Sequence, residues 1–123
     1  MAKILICDDS WLTRRGVKRM VQAEGHEVYE ADNGLQGLEF IRQSDKAIDV
    51  VILDLLMPEM SGVEFLEALR EEQMTVPVIV LTADIQPEAE KIVKALGALG
   101  YMEKTRPLNI NPLIEILKNL GVL

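Results

Sequence analysis

Residues 48–62 read IDVVILDLLMPEMSG. Ile48 to Leu53 is rich in branched apolar side chains and runs directly into Asp54. A loop through Pro58, Ser61 and Gly62 follows, then a helix with Val63, Leu66 and Leu69 on one face. An apolar strand, then an acid, then a helix is the unit of a parallel sheet covered by helices on both sides. The unit recurs upstream. Lys3 to Cys7 runs into Asp8 and Asp9, and Ser10 can cap a helix reaching about Glu24, with Val17, Met20 and Val21 inward and Gly25 as its stop. His26 to Ala31 alternates as a half-buried strand does, Asn33-Gly34 turns the chain, and Leu35, Leu38 and Ile41 mark a second helical face.

It recurs downstream as well. Val76 to Leu81 reads as a strand with Pro77 among its first residues, and Thr82 follows it. Ile85 to Leu96 carries Ala89, Ile92, Val93 and Leu96 at helical spacing, with Pro87 in the first turn. Gly97 to Gly100 stops that helix, and Tyr101 to Glu103 is a short last strand ending at Lys104. Asn111-Pro112 reads as the cap and first turn of a final helix whose stripe is Leu113, Ile116, Leu117 and Leu120. Strands and helices alternating through 123 residues predict one α/β domain over 1–123, a doubly wound five-stranded parallel sheet too short for an eight-unit barrel.

Composition narrows the function. With 49% hydrophobic and 27% charged residues the chain is neither disordered nor fibrous. No apolar run approaches the length that spans a bilayer, and Asp8 and Asp9 interrupt what a signal peptide would continue, so no membrane insertion and a cytoplasmic location are expected. Cys7 is the single cysteine, which excludes an internal disulfide and a multi-cysteine metal site. Thirteen Lys and Arg against twenty Asp and Glu give a net charge of -7, which disfavours direct nucleic-acid binding and favours cationic partners or a divalent cation. The phosphate-binding G-x-x-x-x-G-K-[ST] loop and the zinc motif H-E-x-x-H are both missing.

The odd polar residues share one place. Asp8 and Asp9, Asp54, Thr82 and Lys104 each follow a strand, and in a parallel sheet all strand ends of that kind lie on one edge, where open α/β sheets carry their chemistry. Clustered carboxylates repel unless a cation joins them, and hard oxygen ligands favour Mg²⁺. An aspartate nucleophile, a metal, a hydroxyl and an ammonium are what moving a phosphoryl group onto a carboxylate requires.

On these residues the chain resembles the receiver domain of two-component response regulators, of the stand-alone chemotaxis or phosphorelay type. The matching stretches are ILICDDS, VVILDLLMPEMSGVEFL, VIVLTAD and GALGYMEK, and they extend over essentially the whole chain. The resemblance implies a flavodoxin-like sheet of order 2-1-3-4-5. It implies that Asp54 accepts a phosphoryl group from a histidine kinase or histidine phosphotransfer protein. Mg²⁺ is then held by Asp9 directly, Asp8 largely through water, Asp54, and the backbone carbonyl of Leu56. Thr82 and Lys104 contact the phosphoryl group, and Thr82 with Tyr101 couples it to the face of helix four, strand five and helix five. Self-dephosphorylation resets the switch, with Leu56 and Asp84 flanking the path of water. The first helix, from Trp11, sits beside phosphodonors. A motility component or relay protein is the implied target, and the implied state is a monomer or a weak phosphorylation-dependent dimer. Two alternatives share the fold: a Mg²⁺-dependent aspartyl phosphatase, for which no cap segment is visible, and a non-phosphorylated adaptor.

One stretch departs from the family. Lys104-Thr105-Arg106-Pro107 replaces the usual Lys-Pro with its cis bond. A cis bond before Thr105 would cost about 2.5–4 kcal/mol. The loop is therefore trans there, or Arg106-Pro107 carries the bend, and either arrangement can displace Lys104 or the last helix. Elsewhere, Trp11 reads as a partner contact or as packing on the first helix, His26 as an edge-strand surface residue, and Cys7 and Met20 as core. Met57 belongs to the loop after Asp54.

Overall fold

The computed structural model describes residues 2–44 and 48–122. Its elements are β1 (Lys3–Cys7), α1 (Trp11–Ala23), β2 (Glu27–Ala31), α2 (Gly34–Gln43), β3 (Val50–Leu53), α3 (Gly62–Glu71), β4 (Val78–Thr82), α4 (Pro87–Ala95), β5 (Gly100–Glu103) and α5 (Asn111–Asn119). All strand pairs are parallel and the order is β2-β1-β3-β4-β5, a doubly wound flavodoxin-like sheet. Alternate residues of the central strands feed two cores. Leu5, Cys7, Val51, Leu53, Val78 and Val80 pack with Leu38, Phe65, Leu66 and Val93 of α2, α3 and α4. Ile4, Ile6, Val50, Ile52, Ile79 and Leu81 pack with Val17, Val21, Leu113 and Leu117 of α1 and α5. Strands buried on both faces explain why their sequences show no alternation.

The structure moves several boundaries. β3 and β4 each begin two residues later than their apolar runs. Ahead of β3, the Asp49 carboxylate accepts from Lys3 N at 2.8 Å. Ahead of β4, Pro77 has no N–H to give and only its carbonyl pairs, with Val51 N at 2.9 Å. Thr82 is the last residue of β4 rather than the first after it. α4 starts at Pro87, leaving Ile85 outside and 57% exposed. Asn111 is not the cap of α5: that position is Ile110, and the Asn109 side chain accepts from Asn111 N at 3.1 Å.

Four apolar side chains read as inward face solvent. Met20, Leu35, Ile92 and Leu120 are all exposed. In α1 the buried line is Thr13, Val17 and Val21, four residues apart, and Met20 lies beside it. In α2 the buried residues are Gly34, Gly37 and Leu38. A side chain at Gly37 would collide with Cys7 Sγ, so the glycine lets α2 close onto β1. His26 is half-buried and precedes β2, its Nδ1 accepting from Ala2 N at 2.8 Å. No described helix is long and apolar enough to cross a membrane.

Candidate functional site

The ends of β1, β3, β4 and β5 meet at one edge because the strands are parallel and adjacent. Asp8 and Asp54 leave the sheet there with 2% and 4% exposure, Thr82 is fully buried, and Asp9 is exposed. Lys104 Nζ stands between the two buried acids, 2.8 Å from Asp8 Oδ2 and 2.8 Å from Asp54 Oδ2. Asp54 Oδ1 accepts from Leu55 N at 2.7 Å and more weakly from Leu56 N at 3.4 Å. Asp8 Oδ1 accepts from Ser10 N at 2.8 Å, so the start of α1 fixes this acid, and the Ser10 hydroxyl caps the same helix at Thr13 N.

One carboxylate oxygen each from Asp8, Asp9 and Asp54 lies within 4.8 Å of the other two. Burial pushes the Asp8 carboxyl above the usual range, the Asp54 charge adds to this, and Lys104 and the Ser10 amide oppose it. Burial pulls the Lys104 ammonium down, but its hydrogen bonds to Asp54 and Asp8 and their charges outweigh that and raise it above the ordinary lysine range. Burial and then Asp8 push the Cys7 thiol up to about 12, which makes it an unreactive core side chain. Three carboxylates beside one ammonium leave two formal negative charges on all-oxygen ligands, a donor set that suits Mg²⁺.

Thr82 and Tyr101 meet through a residue between them. Asp84 N donates to Thr82 Oγ1 at 3.2 Å, and the half-buried Tyr101 hydroxyl donates to the Asp84 carbonyl. The sequence reading placed Asp84 beside the path of water and missed this bridge. Its contacts are backbone atoms, which leave no mark on residue identity. Leu56 is 61% exposed beside Asp54.

The departure after Lys104 resolves in favour of the later bend. Arg106-Pro107 is the cis peptide, and Lys104 keeps its place on Asp54. The Thr105 hydroxyl donates to the Pro107 carbonyl at 2.9 Å and accepts from Asn109 N at 3.0 Å, tying the loop. Trp11 is 56% exposed, and the Arg15 guanidinium, one turn on in α1, lies 5.2 Å from its ring centre, so the ring packs on the first helix and keeps an open face.

α3 closes on the loop after Asp54 at Gly62, whose N donates to the Leu55 carbonyl at 3.0 Å. An added Cβ there would strike the Asp54 carbonyl oxygen and lie 2.8 Å from Leu55 Cα. Both obstacles are backbone and cannot rotate away. Gly62→Ala is expected to cost about 1–3 kcal/mol in urea unfolding, and stability equal to the parent contradicts this packing.

A family model described as the response regulator receiver domain matches residues 4–118. This chain belongs to that family. As a receiver domain it shares the family's general mechanism, a switch operated by phosphorylation. Protein PilH of Pseudomonas aeruginosa is 33% identical over 119 residues, with 95% of each chain covered. The structure of Vibrio cholerae chemotaxis protein CheY4 superposes with a TM-score of 0.85 at 36% identity, covering 100% of this receiver domain and 99% of that chain. Response regulator protein TrrA of Thermotoga maritima, solved in complex with Mg(2+)-BeF, gives a TM-score of 0.82 at 32% identity, covering 98% and 99%. Other curated relatives are longer. The receiver domain spans 46% of a probable transcriptional regulatory protein of Picosynechococcus sp..

Proposed function

We propose that residues 1–123 form one receiver domain that acts as a signalling switch, with Asp54 taking a phosphoryl group from a histidine kinase or histidine phosphotransfer protein. The observation that carries this reading is the Lys104 ammonium held 2.8 Å from both Asp8 and Asp54 at the edge where Asp9 also converges. The Mg(2+)-BeF complex of a relative of the same fold supports Mg²⁺ as the ion. Asp8, Asp9, Asp54 and the Leu56 carbonyl would hold it. Bound there, Mg²⁺ supplies charge stabilisation to phosphoryl oxygens and relieves carboxylate repulsion.

The chain's own groups do the rest. Asp54 is oriented by the Leu55 and Leu56 amides on Oδ1. Its oxygen attacks phosphorus, the P–N bond to the donor imidazole breaks, and the imidazole leaves with its electron pair. The phosphoryl group carries about -1.5 to -2 charge where a carboxylate carried -1. Lys104 turns toward the added charge. Thr82 turns its hydroxyl to a phosphoryl oxygen and gives up the Asp84 amide. Asp84 also holds Tyr101, so the change passes to α4, β5 and α5. A difference of a few kcal/mol between the two states is enough to exchange their populations. Hydrolysis of the acyl phosphate resets the switch.

Likeness to a chemotaxis protein, and to sporulation initiation phosphotransferase F of Bacillus subtilis at 32% identity, supports a motility component or a relay protein as target. Cytoplasmic location, and a monomer or a weak dimer formed on phosphorylation, belong to the same reading. Amide exchange across residues 84–103 tests the switch. Phosphorylation from acetyl phosphate in Mg²⁺ is expected to alter exchange there. Thr82→Ala is expected to keep the label and lose most of that change; an undiminished change in the labelled variant removes Thr82 from the route.

A further inference from the structure

Asp9 is the exposed member of the acid cluster, and among the described residues nothing hydrogen-bonds its carboxylate. Its position depends on the backbone that carries it. That backbone is pinned at Asp8, whose N–H donates to the Ala31 carbonyl at 3.0 Å. The Asp8 carbonyl, half of the Asp8–Asp9 peptide, accepts from Arg14 Nη1 at 2.6 Å. Arg14 lies one turn into α1 with its side chain only 14% exposed, and its Nε is fixed by Glu30 Oε1 of β2 at 3.0 Å. Lys18 Nζ reaches the other Glu30 oxygen at 3.2 Å. One arm of the guanidinium is therefore anchored on β2 and the other holds the peptide that aims Asp9.

We infer that Arg14 is a positioning residue for the acid cluster: by holding the Asp8 carbonyl it sets Asp9 for the divalent cation. This rests on the reading that the cluster binds Mg²⁺. The physics gives the inference a sign that a charge effect lacks. Arg14 is a cation close to a cation site, and by Coulomb's law its removal alone tightens Mg²⁺ binding. Loss of a group that orients a ligand weakens it, typically 10–100-fold. Lysine keeps the charge but not the planar fork that spans Glu30 and the Asp8 carbonyl.

Calorimetric titration of the full chain with Mg²⁺ separates these effects, with urea unfolding in metal-free buffer reporting the fold. Arg14→Gln is expected to weaken Mg²⁺ binding about tenfold, at the lower bound for such partners. Arg14→Lys is expected to weaken it as well. Arg15→Gln removes a neighbouring exposed charge that touches Trp11 and not the acid loop, and is expected to bind as tightly as the parent or more so. Arg14→Gln binding as tightly as the parent, or tighter, overturns the inference. If that variant does not fold, Arg14→Lys decides by the same criterion. A parent chain that binds no Mg²⁺ overturns the metal reading itself, whereas a parent that binds beside an unaffected Arg14 variant overturns this inference alone.

Discussion

Asp54→Asn is expected to reduce phosphoryl uptake from acetyl phosphate in Mg²⁺ to background. Asparagine has nearly the same shape, so the fold and the neighbouring Leu55 amide contact at Oδ1 have a group to meet. What disappears is the anionic oxygen that forms the bond to phosphorus and one of three carboxylates offered to the cation. Asp8 and Asp9 remain in the variant, and both are acids at the same edge. They differ from Asp54 in place. Asp54 directly follows β3 at the middle of the sheet, beside both Lys104 and the β4 end that carries Thr82. Intact-protein mass after incubation with the donor reads the result. One phosphoryl group per chain in the parent and none in the variant is the expectation, and a labelled variant would move the acceptor to another residue.

Lys104→Met is expected to destabilise the metal-free protein by about 3–5 kcal/mol in urea unfolding. Among the described residues Lys104 is the single ammonium touching the Asp8 and Asp54 carboxylates, whose side chains are 3% and 5% exposed. Methionine retains much of the apolar stem and leaves two buried acids facing one another without a counter-charge. On the proposed metal reading Mg²⁺ binds the folded state and not the unfolded chain, and is expected to recover part of the loss in the variant by mass action. The gain from Mg²⁺ should also be larger in the variant than in the parent, because there the ion need not share the site with an ammonium. Equal metal-free stability of variant and parent would show that Lys104 does not compensate these acids.

The fold was legible because the three central strands are nearly pure apolar runs, each ended by a polar residue. That pattern places both helix layers and, through parallel geometry, brings Asp8, Asp54, Thr82 and Lys104 to one edge. What was not legible depends on distances and on backbone atoms. Met20 and Leu35 satisfy a helical period yet miss the buried line, because a helix buries a stripe narrower than its apolar content allows. Asn111 followed by proline looks like a cap, but the Thr105 hydroxyl accepts from Asn109 N and the Asn109 side chain supplies the oxygen that accepts from Asn111 N. The Thr82–Asp84–Tyr101 connection and the hold of Arg14 on the Asp8 carbonyl run through peptide groups, which every residue possesses. Identity marks chemistry well and marks its supports poorly.

Borohydride reduction of the labelled chain tests the central claim most directly, because it converts an aspartyl phosphate to homoserine at the residue that carried phosphorus. After acetyl phosphate and Mg²⁺, peptide sequencing is expected to find homoserine at position 54 alone, and none when Mg²⁺ is withheld. Homoserine at position 8 or 9, or conversion that is indifferent to Mg²⁺, would contradict the account.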